Sequence, residues 1–387
     1  MLNFSDYDVS PERGFLPTED PLLQLPPAFA DWDRLSAELP YLVLTGRVRS
    51  ELAKFQSPDV NQLTTTAELE RAMLIISAIG MAYIWAEEEP LEVLPANIAV
   101  PWAAVADKLG RPPIVTHNSI VLNNWRRLNP NEPIHADNLA CTQHFMGGMD
   151  EQWFFTATAA LEAAGAPALK ALADAKSAAA ADDIETVTEL LDTVCQIFKQ
   201  VNSALLRIYE KCAPYIFYHR IRPFLAGWDQ TGILFEGVSE QPLKLHGASA
   251  AQSSLIQAYD AALGIEHFHE ETRPFLLLMR EYMPPKHRQF VEDLAKGLSI
   301  YDFVETHKDN HPDLASIFNQ CIDELDIFRR EHMGIAVRYV LRQGKDGEDG
   351  LGTGGTSFVP FLREARNETR AKRAEVKTQT DEQIQPV

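Results

Sequence analysis

Cysteine is scarce in this 387-residue chain: there are four, at positions 141, 195, 212 and 321, and no two of them form a CxxC pair. That spacing excludes a zinc ribbon or a thioredoxin-type site and predicts four buried, reduced thiols. An excess of positive charge is also lacking. Lys and Arg number 35 against 55 Asp and Glu, a net charge of −20, which repels nucleic acid and anionic membranes. Long apolar runs are missing too. The longest, Met73 to Ala86, falls short of the ~20 residues that span a bilayer and reads as a core helix. The N-terminus has no basic start followed by an apolar stretch, so no signal peptide and a cytoplasmic location are expected. Strand signals are sparse, no internal repeat is evident, and no Gly-x-Ser-x-Gly elbow occurs.

What is present is an ordinary globular composition, 45% hydrophobic and 23% charged. The chain is long enough for two domains, or for one large core able to enclose a cofactor. Residues 1–30, rich in Pro and Asp, read as an extended arm. Helical periodicity then runs from Trp32 to Ala86, with Glu68 and Glu70 in the first turn of its clearest helix. A loop is expected over 87–101, a helix from about Pro101 and another over Ser119–Leu128. The breaker cluster Asn129–His135 precedes a domain boundary near 136–150. Helices are expected over Trp153–Ala164, Ile184–Cys212, Ala248–Leu263, Pro274–Met283 and Pro312–Leu341. The fold class is all-α.

The late helix carries the most chemistry. Its apolar stripe runs Leu314, Phe318, Cys321, Leu325, Phe328, His332, Ile335, Tyr339, in steps of four and three. His332 stands where the pattern expects Leu. It is either a core histidine bonded to a neighbouring helix or a metal ligand, in particular the axial ligand of a haem. Gly334 and Ala336 are small enough to leave room for a flat macrocycle. Arg329, one turn earlier, is within reach of an acidic group at its edge.

A second candidate is Phe217-Tyr218-His219-Arg220-Ile221-Arg222-Pro223. It is either surface packing or an aromatic wall beside a carboxylate clamp. A third is the Gly-rich loop 344–356, whose Gly350, Gly352 and Gly355 fit GxGxxG but follow a helix where a dinucleotide site needs a strand. It is a linker or a lid. Two Glu-x-x-His pairs, Glu132–His135 and Glu266–His269, raise a di-iron bundle as a weak alternative. His267, His269 and Glu270 read as a solvated helix start.

Taken in order, LPANIAVPW at 94–102, RPFLAGWD at 222–229, SAAQSS at 249–254, MPPKHR at 283–288, FRREHMGIAVRYVL at 328–341 and GTGGT at 352–356 resemble the indoleamine 2,3-dioxygenase family of haem enzymes. The resemblance implies a small N-terminal helical domain (1–140) covering the distal side of a large helical haem b domain (141–363). The large domain includes the mobile loop 344–356, and a polar tail comes after it (364–387). The resemblance implies His332 as proximal iron ligand, Arg329 near a haem propionate with Asp260 as charge partner, and Ser249 on the distal side. Arg222 is implied to hold the substrate carboxylate, Phe217 and Tyr218 to meet the indole, and Thr353 with Gly354 to close over the amino-acid end. Thr158 stands in place of a distal serine, Ile120 in place of a small polar residue, and His117 where a tyrosine is common. With Thr158 and Ser249, His117 is implied as a catalytic residue: it either enters the distal pocket, where its imidazole hydrogen-bonds the indole N–H or bound O2 as in the related tryptophan 2,3-dioxygenases, or packs away against the small domain.

The implied reaction inserts both atoms of O2 across the indole C2=C3 bond of L-tryptophan or a related indoleamine, with an electron donor keeping the iron ferrous. Two other readings stand beside it: a haem oxygenase of the same fold that mono-oxygenates another indole in specialised metabolism, and a non-enzymatic haem-binding or sensing protein. The oligomeric state is not readable from sequence.

Overall fold

A computed structural model describes residues 2–87, 89–344, 352–355 and 357–375. Its described α-helices are α1 (Ala30–Leu44), α2 (Val48–Leu52), α3 (Thr66–Trp85), α4 (Ala96–Leu109), α5 (Met149–Ala180), α6 (Ile184–Leu206), α7 (Ile208–Lys211) and α8 (Pro214–Ile216). They continue as α9 (Ser254–Leu263), α10 (Thr272–Arg280), α11 (Pro285–Leu294), α12 (Ile300–His307), α13 (Pro312–Ala336) and α14 (Phe358–Arg370). The strands are two residues each. β1 (Val93–Leu94) pairs in parallel with β4 (Leu234–Phe235), and β2 (Arg126–Arg127) pairs antiparallel with β3 (Leu139–Ala140). The class is all-α, as expected. No helix among the described residues is long and apolar enough to cross a membrane.

The longest helix, α5, packs along α6, and α6 packs in turn on α13. The α6 stripe Val187, Leu191, Val194, Phe198 and Val201 is fully buried between them. The first half of the α13 stripe, Leu314 to Leu325, is buried as well. The four cysteines are buried and unpaired. The N-terminal arm is held by aromatic contacts, with Phe4 and Phe15 both edge-on to Phe290 of α11. Buried apolar side chains form one connected cluster from Val9 to Ala374.

Helix α3 starts with a capping box, in which Thr65 Oγ accepts from Glu68 N–H and Glu68 accepts from Thr65 N–H. Helix α4 begins at Ala96, not at Pro101. The proline sits inside the helix and forfeits one bond. The helix expected over 119–128 does not form. A π-turn, Asn118–Leu122, is followed by irregular chain. Buried asparagine side chains take over the backbone there: Asn123 Nδ2 donates to Asn118 O, and Asn124 Oδ1 accepts from the amides of Thr142 and Gln143. The helix expected to run to Cys212 breaks near Arg207, whose carbonyl accepts from Trp153 Nε1. Only 254–263 of the expected 248–263 helix is α-helical. Helix α14 crosses residue 364 and buries Phe358, Leu362 and Ala365, so the tail expected from that point begins as packed helix. Residues 376–387 lie outside the described residues.

Gly165 marks where α5 and α9 press together. A Cβ there would overlap Tyr259 Oη and Leu255 Cδ2, while Tyr259 Oη donates to the Gly165 carbonyl at 2.6 Å. Alanine is the better helix former by about 1 kcal/mol, but overpacking costs ~1–3 kcal/mol. Gly165→Ala is therefore expected to lower the urea midpoint. A raised midpoint would show that the two helices can separate freely.

His287 of α11 gives the fold an acid sensitivity. It is buried against Phe15, with ring centroids 4.9 Å apart, and its Nδ1 has no hydrogen-bond partner among the described residues. Burial pushes its imidazole from 6.5 down to about 4. Above pH 6.5 both folded and unfolded chains hold it neutral. Below that, the unfolded chain gains the proton first, so stability falls as pH drops from 6.5 toward 4. In His287→Phe the urea midpoint is expected to drop less between pH 7 and pH 5 than in the wild type. Equal drops would remove His287 as a source.

Candidate active site

Helices α5, α9, α13 and α14, the segments joining α5 to α13, the stretch His117–Val121 and the loop residues Gly352–Gly354 line a cavity of about 330 Å3. His332 of α13 lies on its wall. Protein surrounds the residue, yet it keeps accessible surface, because that surface is cavity wall. Burial, reinforced by the neighbouring Arg329 guanidinium, pushes its imidazole down to about 4. The ring is therefore neutral at ordinary pH, the form in which histidine binds a metal. Phe328 stacks on it at 25°. No helix neighbour among the described residues bonds it, so the core-histidine alternative lacks the partner it needs. Ala336 shares the wall, whereas Gly334 is exposed on the outer face and leaves the cavity no extra room.

Arg329 Nη2 meets Asp260 Oδ1 of α9 at 2.5 Å, and both residues line the cavity. Burial raises the Asp260 carboxyl, but Arg329 and His267 together more than offset this and hold it below its ordinary 3.8. The expected charge pair is therefore present. Arg329 Nε is buried with no partner among the described residues, so the guanidinium retains a donor. His267 is no solvated helix start. It sits between Asp260 at 3.2 Å and Glu368 of α14 at 2.6 Å.

Opposite α13, helix α5 presents Phe154, Thr158 and Glu162 at successive helical turns. Phe154 packs on Phe217 with centroids 4.6 Å apart, and Phe217 in turn meets Tyr339 edge-on. Phe217 and Arg222 line the cavity. They bracket a π-turn, Phe217–Ile221, and a second π-turn, Val337–Leu341, carries Tyr339. Such turns are frequent at functional sites. Tyr218 does not line the cavity, contrary to expectation. Adjacent residues on a helical turn point about 100° apart, so with Phe217 inward Tyr218 faces away. The Arg222 guanidinium lies over its ring at 5.2 Å, so the tyrosine steadies the arginine from behind.

Thr158 Oγ donates to the Phe154 carbonyl at 2.7 Å. Its proton is committed, and toward the cavity the hydroxyl is an acceptor. Ser249 Oγ accepts from Ala251 N–H at 3.2 Å, and no described residue takes its own proton. Thr353 Oγ donates to the Ala248 carbonyl, and the Thr353 carbonyl accepts from Gly227 and Gly247 N–H. The Gly354 carbonyl lies 2.7 Å from His246 Nδ1. The described part of the Gly-rich loop is thus docked against 225–248. Residues 345–351 and 356 of that loop lie outside the described residues.

His117 does line the cavity, with Ile120 beside it. Its Nε2 lies 2.8 Å from Glu162 Oε1, and its backbone N–H donates to Gln252 Oε1. The same Glu162 oxygen accepts from Ser253 Oγ at 2.7 Å. Sequence reasoning does not single out Glu162. Its signal is a lone acidic residue four positions after Thr158 on an Ala-rich helix, on the same face. The two Glu-x-x-His pairs come to nothing structurally. Glu132 and His135 form an exposed pair at 3.8 Å, and no cluster of three or more potential ligands occurs among the described residues.

A sequence profile of the indoleamine 2,3-dioxygenase family matches residues 3–372. The chain belongs to that family. It is 34% identical to indoleamine 2,3-dioxygenase 2 of Mus musculus, with 95% of each chain covered. It is 35% identical to indoleamine 2,3-dioxygenase acdA of Aspergillus candidus, over 95% of this chain and 96% of that one. To the 6-hydroxytryptophan 2,3-dioxygenase fscD of Fusarium equiseti it is 31% identical, over 95% and 97%. Indoleamine 2,3-dioxygenases are haem-dependent enzymes acting on indoles, and the chain is an oxidoreductase of that class. The lining fits such a group in three respects: a neutral histidine on the wall, an arginine one helical turn away whose Nε has no partner among the described residues, and largely apolar side chains over the rest of the wall.

Proposed function

We propose that the cavity would hold haem b, with His332 as the residue that binds its iron. In this reading the chain inserts both atoms of O2 across the indole C2=C3 bond of L-tryptophan or a close relative, giving an N-formylkynurenine-type product. The observation that carries the reading is His332 itself: a neutral imidazole, bonded to no other described residue, on the wall of a cavity that Arg222 also lines. The name of the Fusarium relative widens the substrate class to ring-hydroxylated tryptophans.

Bound there, haem supplies the activation of O2, and an electron donor is needed to keep its iron ferrous. The protein's own residues do the rest. Arg329 offers its remaining donor to a propionate while Asp260 fixes its orientation. Arg222 holds the substrate carboxylate through its fork of donors, and Phe217 packs against the indole. Thr158, with its proton committed to Phe154, accepts from the indole N–H. Ser249, also on the cavity wall, offers a hydroxyl proton. Thr353 and Gly354 close the amino-acid end. No general base is required by this scheme.

The absorption spectrum of the purified protein, ferric and then reduced, with and without L-tryptophan, tests haem and axial ligation. Product mass after reaction in isotopically labelled O2 tests the chemistry. Two labelled oxygens are expected. One labelled oxygen would replace this reading with mono-oxygenation, and stable haem with no turnover of any indole would replace it with haem binding alone.

A further inference from the structure

The pair His117–Glu162 is a buried polar feature of the cavity wall that the roles above leave unused. The two residues are exposed to only 6% and 2%. In the neutral tautomer that donates Nε2–H to Glu162, the Nδ1 lone pair is the acceptor His117 offers. Gln252 fixes the His117 backbone from the other side, and its own amide is anchored on the Gly247 carbonyl. Glu162 Oε1 already serves two donors, His117 and Ser253. Glu162 Oε2 is buried and has no hydrogen-bond partner among the described residues. A buried carboxylate oxygen without a donor is costly, and such groups are satisfied when a ligand brings the donor.

Helix α5 places this pair relative to the rest of the site. Phe154 touches Phe217, which with Arg222 flanks the π-turn Phe217–Ile221, and all three line the cavity. Thr158 lies one turn on and Glu162 a second turn on. At 1.5 Å per residue, Glu162 stands ~6 Å beyond Thr158 and ~12 Å beyond Phe154 along the helix. A tryptophan with its carboxylate at Arg222 and its indole N–H at Thr158 directs its benzenoid ring toward the His117–Glu162 end. Unsubstituted, that ring has only C–H to offer two acceptors.

We propose that His117 and Glu162 form a specificity site for a hydroxyl on the benzenoid ring of the substrate, so that the chain selects ring-hydroxylated tryptophans over tryptophan itself. The proposal rests on the tryptophan-class reading above. The hydroxyl donates to one acceptor of the pair, and a site built around buried acceptors discriminates against the analogue that leaves them unpaired.

The test is equilibrium binding by calorimetry to the ferric holoenzyme, comparing L-tryptophan, its positional hydroxy isomers and the matching methoxy compounds. At least one hydroxy isomer is expected to bind ~10–100-fold tighter than L-tryptophan, the range of one hydrogen bond to a buried polar pair. Its methoxy counterpart, which has no proton to donate, should lose that advantage. In His117→Phe, which keeps an aromatic ring in place, and in Glu162→Gln, the ratio of the two dissociation constants should collapse toward one, regardless of absolute affinity. Equal binding of hydroxy and plain substrates by the wild type, or an unchanged ratio in both variants, overturns the proposal. Product formation from L-tryptophan reports separately on the parent reading, so loss of one does not pass for loss of the other.

Discussion

His332→Ala is expected to yield a folded protein that retains no stable haem, seen as loss of the Soret band after purification and desalting. The size of the effect comes from where the side chain sits. His332 makes no hydrogen bond to another described residue, and burial holds it neutral, so removing it breaks no polar contact among the described residues and loses packing such as the stacking on Phe328. His332→Leu makes the argument sharper. It completes the apolar stripe of α13, and replacing a buried polar group by an apolar one of similar size is near neutral or stabilising by ~1 kcal/mol. Urea denaturation of the haem-free proteins should therefore show His332→Leu at or above the wild-type midpoint while haem binding is gone. A structural histidine would give the opposite pair of results: lowered stability and a retained Soret band.

Arg222→Ala is expected to weaken L-tryptophan by ~10–150-fold in kcat/KM, the equivalent of the ~1.5–3 kcal/mol of a charge-assisted hydrogen bond, and to leave binding of free indole nearly unchanged. The contrast matters more than the size. Removing the arginine also uncovers the Tyr218 ring beneath it, and a general collapse of the pocket would weaken both ligands alike. Arg222→Lys should recover little, because an ammonium cannot reproduce the planar fork. Equal losses for indole and tryptophan would take Arg222 out of the carboxylate role.

The elements legible in sequence share a physical cause. The α13 stripe obeys the α-helical repeat, so counting alone places His332 on the inner face. The α6 stripe is legible for the same reason. Features that escape the sequence are set by long-range topology or by departures from that repeat. Ser253 and Glu162 are 91 positions apart and His117 and Glu162 45 apart, contacts that no local pattern announces. The resemblance to a paired aromatic points Tyr218 at the substrate, and the winding of the turn sends it outward instead. His267 reads as solvated beside Glu266, Phe268 and His269. It is enclosed because α14, most of which reads as tail, returns to lay Glu368 against it.

Three π-turns occur among the described residues, at Asn118–Leu122, Phe217–Ile221 and Val337–Leu341, each carrying or adjoining a residue of the cavity wall. A π-turn is an α-helical turn with one residue inserted. Deleting a residue from one of them restores ordinary winding and leaves the chain on either side in place, but it removes or re-aims the residues of the turn itself. At Phe217–Ile221 that shifts Phe217, and at Asn118–Leu122 it shifts Ile120 and Val121, all of them cavity-wall residues. The pocket's outline is therefore written in chain length as much as in residue identity. A single-codon deletion at these points reshapes it more than a substitution does, and members of the fold that differ by one residue there should differ in what they admit.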